Sequence, residues 1–194
     1  MATYRNILNH VDKWEGGFVY IPEEGQYTNR GIQFTTFKKL APSILGIKNP
    51  TLEQLKNITQ KQWEKFVQYF WNKATFNNAI KDQKAANVMF QALWGSGGYG
   101  VKEMQRALKV SPDGLVGLQT VKAINSNRRA GDILFNALEN YYRRLGTSSR
   151  YNRFVKGWLN RLNDLPTGVQ YAGFGLPLFL VAMGLYFRGK KSKK

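Results

Sequence analysis

Tyr4, Ile7, Leu8, Val11 and Trp14 recur at the spacing of one helical face, which predicts a first helix running to about Glu15. Gly16-Gly17 follows, and glycine's access to the left-handed conformation predicts that this pair closes the helix. Phe18, Val19, Tyr20 and Ile21 lead into Pro22-Glu23-Glu24-Gly25, after which come Tyr27, Thr28 and Gly31-Ile32. That alternation around a turn predicts a short, irregular β-hairpin over residues 18 to 34. Beyond it the period is helical. Thr51-x-x-Gln54 and Thr59-x-x-Gln62 have the form of capping boxes, and Trp63, Phe66, Val67, Phe70 and Trp71 follow the second on one face. Ala85, Val88, Met89, Ala92 and Leu93 mark the next helix, which Gly95-Ser96-Gly97-Gly98 stops, and Val101, Met104 and Leu108 mark another after it. Ser111-Pro112-Asp113-Gly114 reads as a structural turn, with Thr120 in the helix after it. Two last stripes, Ile133 to Leu145 and Tyr151 to Leu162, complete a mainly α chain whose aromatic positions are read as core.

The C-terminal end differs in character. From Val169 to Phe187 the chain is apolar for 19 residues without a charge. Such a helix is roughly 28 Å long, close to the hydrocarbon thickness of a bilayer. Tyr171 and Tyr186 stand near its ends, and Arg188, Lys190, Lys191, Lys193 and Lys194 follow. The expectation is a transmembrane helix over residues 166–187 and a basic tail over 188–194. The N-terminal residues do not resemble a cleavable signal.

Composition narrows the chemistry. The 194 residues carry a formal net charge of +17, which favours an anionic partner such as a bacterial wall, an acidic membrane or nucleic acid. No nucleic-acid motif accompanies the charge, so no specific nucleic-acid partner is expected. There is no cysteine, which removes disulfides and cysteine nucleophiles, and a single histidine, His10, which removes multi-histidine metal sites. His10 is read as an ordinary helix residue; neither metal nor cofactor is expected. Carboxylates remain. Glu15 stands at a helix end beside Trp14 and close to Phe18, the setting in which a partly buried glutamate keeps its proton. A glycosidic bond is cleaved by such a proton donor.

Trp14-Glu15-Gly16-Gly17-Phe18-Val19, followed by Tyr27-Thr28-Asn29-Arg30-Gly31-Ile32, resembles the glycoside hydrolase family 108 lysozymes, whose signature is E-G-G-[YF] and then D-P-x-D-x-G-G-x-T-N-x-G-I. Met89-Phe90 through Gly98 resembles the family's helix with its small-residue turn. Gln105 to Val110, Asp113 to Gly117, Thr120, and Gly157 to Arg161 resemble its peptidoglycan-binding type 3 region. The resemblance implies a lysozyme-like fold, a small β-hairpin beside the active site, and cleavage between N-acetylmuramic acid and N-acetylglucosamine. It places the catalytic glutamate on Glu15. Glu24, nine residues on, is either the base that activates water or a solvated turn residue. Thr28 and Asn29 match the family's T-N and would position water or substrate, unless Asn29 only braces the hairpin by bonding to backbone. Trp14, Phe18 and Tyr27 complete the expected substrate contacts. The chain departs from the pattern at Ile21, Gln26 and Gln91, where aspartate, glycine and aspartate are usual.

The expected organisation is a catalytic lobe over residues 1–98 and a helical lobe over 99–165, followed by the span and tail. The expected activity is that of a membrane-anchored muramidase. Its expected setting is a phage virion with an internal membrane, and otherwise the bacterial inner membrane as a host-lysis enzyme. The alternatives are an inactive wall-binding protein and a basic nucleic-acid-associated protein. Glu15 has to face a groove, and an ion pair that held it permanently anionic would exclude the acid role.

Overall fold

Local chemistry sets most of the helix boundaries. The computed structural model describes residues 2–22 and 24–166. Helix α1 (Arg5–Trp14) leads into β1 (Val19–Ile21), β2 (Gln26–Asn29) and β3 (Ile32–Gln33), and then α2 (Phe34–Leu45), α3 (Leu52–Lys56) and α4 (Gln60–Thr75). The long α5 (Gln83–Ala107) is followed by α6 (Leu118–Asn125), α7 (Ala130–Leu145) and α8 (Asn152–Asn163). Both expected capping boxes form: Thr51 and Thr59 each accept from the backbone of the glutamine three residues on, whose side chain reciprocates.

Helices α4, α5 and α7 supply the centre of the core, where Trp63, Phe66, Trp71, Met89, Phe90, Leu134 and Leu138 are fully buried. Gly95–Gly98 does not separate two helices as expected; the chain kinks there inside a single α5. Gly97 takes φ 57, ψ −146, so the two halves of α5 run at different angles. Gly100, just beyond the kink, sits against the Ala92 carbonyl where a Cβ would lie 2.3 Å away.

Three expectations are corrected. The hairpin is a three-stranded antiparallel sheet, β1-β2-β3, because Ile32-Gln33 pairs with Asn29 and Thr28. Gly16-Gly17 does not close α1 in a left-handed turn; Glu15 leaves the helix in extended conformation, φ −91, ψ 131. The third concerns the membrane. Among the described residues no helix is long and apolar enough to cross one. The longest, α5, carries Lys102, Glu103 and Arg106 and is broken at Gly97. The expected span Val169–Phe187 and the basic tail lie outside the described residues. A C-terminal anchor is therefore no part of the fold described, and the membrane-anchored location read from it is set aside.

Candidate active site

The seat of Glu15 is built by a tight turn rather than by the helix alone. Arg30-Gly31 joins β2 to β3 with φ 48 and 76, the left-handed pair of a two-residue hairpin turn. Arg30 N–H donates to the Gly16 carbonyl at 2.9 Å, tying this turn to the chain just after Glu15. The Arg30 side chain pairs with Asp12, donates to Gln60 at 2.5 Å and lies over the Trp63 ring at 4.2 Å. Trp63 Nε1 in turn donates to the Arg30 carbonyl at 3.0 Å. These contacts hold a non-glycine residue in a conformation that costs roughly 1–2 kcal/mol. At Gly31 a side chain is excluded outright: a Cβ would stand 2.6 Å from the Glu15 carboxyl carbon and 2.9 Å from Trp94 Nε1.

Glu15 Oε1 accepts two hydrogen bonds, from Trp94 Nε1 at 2.7 Å and Arg161 Nη1 at 3.0 Å. Among the described residues no donor reaches Oε2, which lies on the Gly31 side. The side chains of Glu15 and Arg161 are 13% and 14% exposed, so the pair is sheltered but open at one edge. Trp94 is fixed by Phe90, stacked at 5.5 Å, and by Phe70, edge-on at 5.2 Å. Arg161 reaches in from α8 past Gly95, where a Cβ would lie 3.2 Å from Nη2. In the orientation that satisfies its amide, buried Gln91 accepts from Arg161 Nε at 3.0 Å and Nη2 at 3.2 Å. An aspartate here would give Arg161 a second anionic partner; glutamine leaves its charge to Glu15. The carboxylate thus faces a groove, as the sequence reading required, and is also ion-paired, through one oxygen.

That groove, about 700 Å³, is lined by Trp14, Glu15, Glu24 and Thr28 together with Gln33, Trp94 and Arg161. Glu24 is exposed on the β1–β2 loop, its Oε2 accepting from Gln33 Nε2 at 2.6 Å. Gly25, at φ 64, closes that loop, its N–H donating to the Ile21 carbonyl at 2.9 Å. Gln26, the residue in place of a glycine, pairs with Ile21 and accepts from Thr35 N and Oγ1 at 3.2 and 2.8 Å. It therefore caps the first turn of α2 and ties the loop bearing Glu24 to it.

Sheet register separates the other expected residues. Val19 pairs with Thr28 and lines the groove with it, so Tyr20 and Tyr27, paired one position along, point to the opposite face. There Tyr27 stacks on Phe18 at 5.1 Å and meets Tyr20 at 5.1 Å. Phe18 and Tyr27, expected as substrate contacts, are thus packed on each other and are not among the residues lining this groove. Asn29 is buried, and its Nδ2 donates to the carbonyls of Leu55 and Lys56 at 2.9 and 3.0 Å. It braces the sheet against α3. Trp14 lines the groove while its Nε1 donates to Asp164 Oδ2 at 2.6 Å.

His10, on α1 beneath this site, is buried, and among the described residues neither ring nitrogen has a hydrogen-bond partner. Burial lowers its pKa to about 4, against the opposing pull of Asp164, whose Oδ2 is 3.6 Å from Nδ1. Asp164 is held below the usual carboxylate range by Lys13 and Trp14, both donating to it. Farther away, the Asp113-Gly114 turn is structural: buried Gln105 donates to Asp113 and to Leu115 O and accepts from Gly114 N.

Sequence reasoning missed Trp94, Arg161 and Gln33 as site residues. The only signal for the first two was polar groups at Gln91 and Trp94 on one turn of an otherwise apolar helix, and an arginine in the last family-like segment.

Residues 8–97 match the family model described as Glycosyl hydrolase 108, and residues 99–163 match one described as Predicted Peptidoglycan domain. None of the curated proteins compared matches the chain. Among solved structures, the one titled "Structure of Brucella abortus SagA" has the same fold, with a TM-score of 0.67 and 22% identity. The alignment covers 84% of this chain and 90% of that one.

Proposed function

We propose, for a chain that belongs to the glycosyl hydrolase 108 family and is a glycoside hydrolase acting on peptidoglycan, that Glu15 is its catalytic acid. The bond cut in this reading joins N-acetylmuramic acid to N-acetylglucosamine. The observation that carries it is the seat of Glu15: a nearly enclosed carboxyl on the groove, with Oε1 clamped by Trp94 and Arg161 and Oε2 met by no donor among the described residues. Clamping one oxygen fixes the plane of the carboxyl, so the other is aimed before substrate arrives. Oε2–H is donated to the bridging oxygen as the sugar C–O bond breaks. Arg161 and Trp94 then stabilise the carboxylate that remains. Glu24, on the same groove, takes the proton of the attacking water, and Thr28 positions that water.

Replacing Glu15 with Gln keeps both Oε1 hydrogen bonds and removes the acid. Clearing of purified cell-wall suspensions is expected to fall by about 10³-fold. Equal clearing by both proteins removes Glu15 from the chemistry. The setting attached to this activity is a phage particle opening the wall at entry, and absence of the chain from purified particles overturns it.

A further inference from the structure

A second groove, about 830 Å³, opens beside the first and shares Thr36, Phe70 and Leu93 with it. The two are lined differently. The lining of the second includes the branched aliphatic side chains Leu40, Val101, Leu115 and Val116, beside Tyr69, Phe70 and Phe76. Lys39 and Lys73 stand along it, and no carboxylate is among its lining residues. Leu115 is 72% exposed, a large apolar side chain held in the open by the Gln105-centred turn. Of the three aromatic rings along it, Tyr69, Phe70 and Phe76, the first two are already engaged. Lys73 Nζ lies over the Tyr69 ring at 5.7 Å, and Phe70 is edge-on to both Tyr69 and Trp94.

The far end of this groove carries the most unusual backbone described. Phe76, Asn77 and Asn78 are consecutive non-glycine residues at φ 50, 55 and 66. Strain of this kind persists only where surrounding contacts enforce it, and it concentrates at binding sites. Here Trp71 Nε1 donates to Asn78 Oδ1 at 2.5 Å, and Asn78 N–H donates to Thr75 Oγ1 at 3.0 Å. The result is that Phe76 and Asn77 are presented to the groove.

We propose that this second groove binds the anionic stem peptide of the peptidoglycan strand whose glycan lies in the first, with Lys39 and Lys73 meeting its carboxylates. The inference rests on the peptidoglycan reading above. Alanyl methyl groups match the aliphatic side chains of the lining, and free carboxylates match a groove with lysines and no acid among its lining residues. The shared residues Thr36, Phe70 and Leu93 make the two sites contiguous, so one substrate molecule reaches both.

The test is binding of the soluble tripeptide L-alanyl-γ-D-glutamyl-meso-diaminopimelate to the full chain, measured by calorimetry at low salt. Wild type and E15Q are expected to bind alike, while K39Q/K73Q binds about tenfold or more weakly. Because E15Q keeps the site, a failure of Glu15 as the acid leaves this result standing. A second arm compares hydrolysis of peptide-bearing wall with glycan strands stripped of peptide. K39Q/K73Q is expected to lose activity on the first substrate only. Absence of tripeptide binding, indifference to the lysine substitutions, or equal loss on both substrates overturns the proposal; equal loss makes the groove a glycan subsite.

Discussion

Two carboxylates face one groove from very different seats. Glu15 leaves the end of a helix into a pocket where Trp94, Arg161 and the missing side chain of Gly31 fix every neighbour. Glu24 stands exposed on a four-residue connection, with a tie to Gln33 and a loop anchored through Gln26. The first seat is suited to a group whose proton must be aimed. The second is suited to a group that must reach water. The roles proposed for the two follow from this contrast in enclosure, and the contrast can be broken experimentally.

The largest effect after Glu15→Gln is expected from Gly31→Ala. A Cβ at φ 76, 2.6 Å from the Glu15 carboxyl, must displace it or unmake the turn. Wall clearing is expected to drop about 10²-fold, as for a misplacement near 1 Å. Stability is expected to drop by about 1–2 kcal/mol in urea unfolding. Wild-type clearing by a folded Gly31→Ala protein contradicts the seat. Glu24→Gln is expected to cost about 10²-fold in kcat with unchanged urea stability, because an exposed loop carboxyl holds up little of the fold. A stability loss matching that of Gly31→Ala dissolves the difference between the seats.

Arg161→Met removes one of two donors to Oε1. We expect kcat to fall about tenfold at constant KM, since the clamp acts on the reacting group and not on substrate. A rise in KM alone recasts Arg161 as a substrate contact. The last effect is on stability and not on activity, and it concerns His10, on the helix that leads to Glu15. Its folded pKa of about 4 lies below the ordinary 6.5, so the unfolded chain binds the extra proton first. The stability this neutral, buried ring contributes is complete above pH 6.5 and is lost as pH falls through that window towards 4. Urea unfolding across the range is expected to show the slope, and His10→Gln is expected to flatten it. An unchanged slope assigns the dependence to other groups.

Individual positions show where sequence legibility ended. Thr51 and Thr59 announced their caps because capping is short-range chemistry, whereas the small residues near Gly97 announced a break but not that the helix would continue beyond it. Asn29 carried both of its candidate roles in sequence, and only the tertiary structure showed its amide bonded to the α3 carbonyls of Leu55 and Lys56. For Tyr27 the sequence left the side of the sheet open, because a strand residue is equally compatible with either face until its register is known. The pairing of Val19 with Thr28 put Tyr27 on the far one.

What the sequence alone determined was the helical order of the chain and the placing of a glutamate at a helix end before a glycine-rich turn. Those features depend on residues within a few positions of one another. The tertiary structure decided what surrounds that glutamate. Trp94 and Arg161 are 79 and 146 residues away along the chain, and no local periodicity brings them together. Hydrogen bonds of this kind depend on positions accurate to a fraction of an ångström. Only the packing of α5 and α8 around the turn at Gly31 supplies that accuracy.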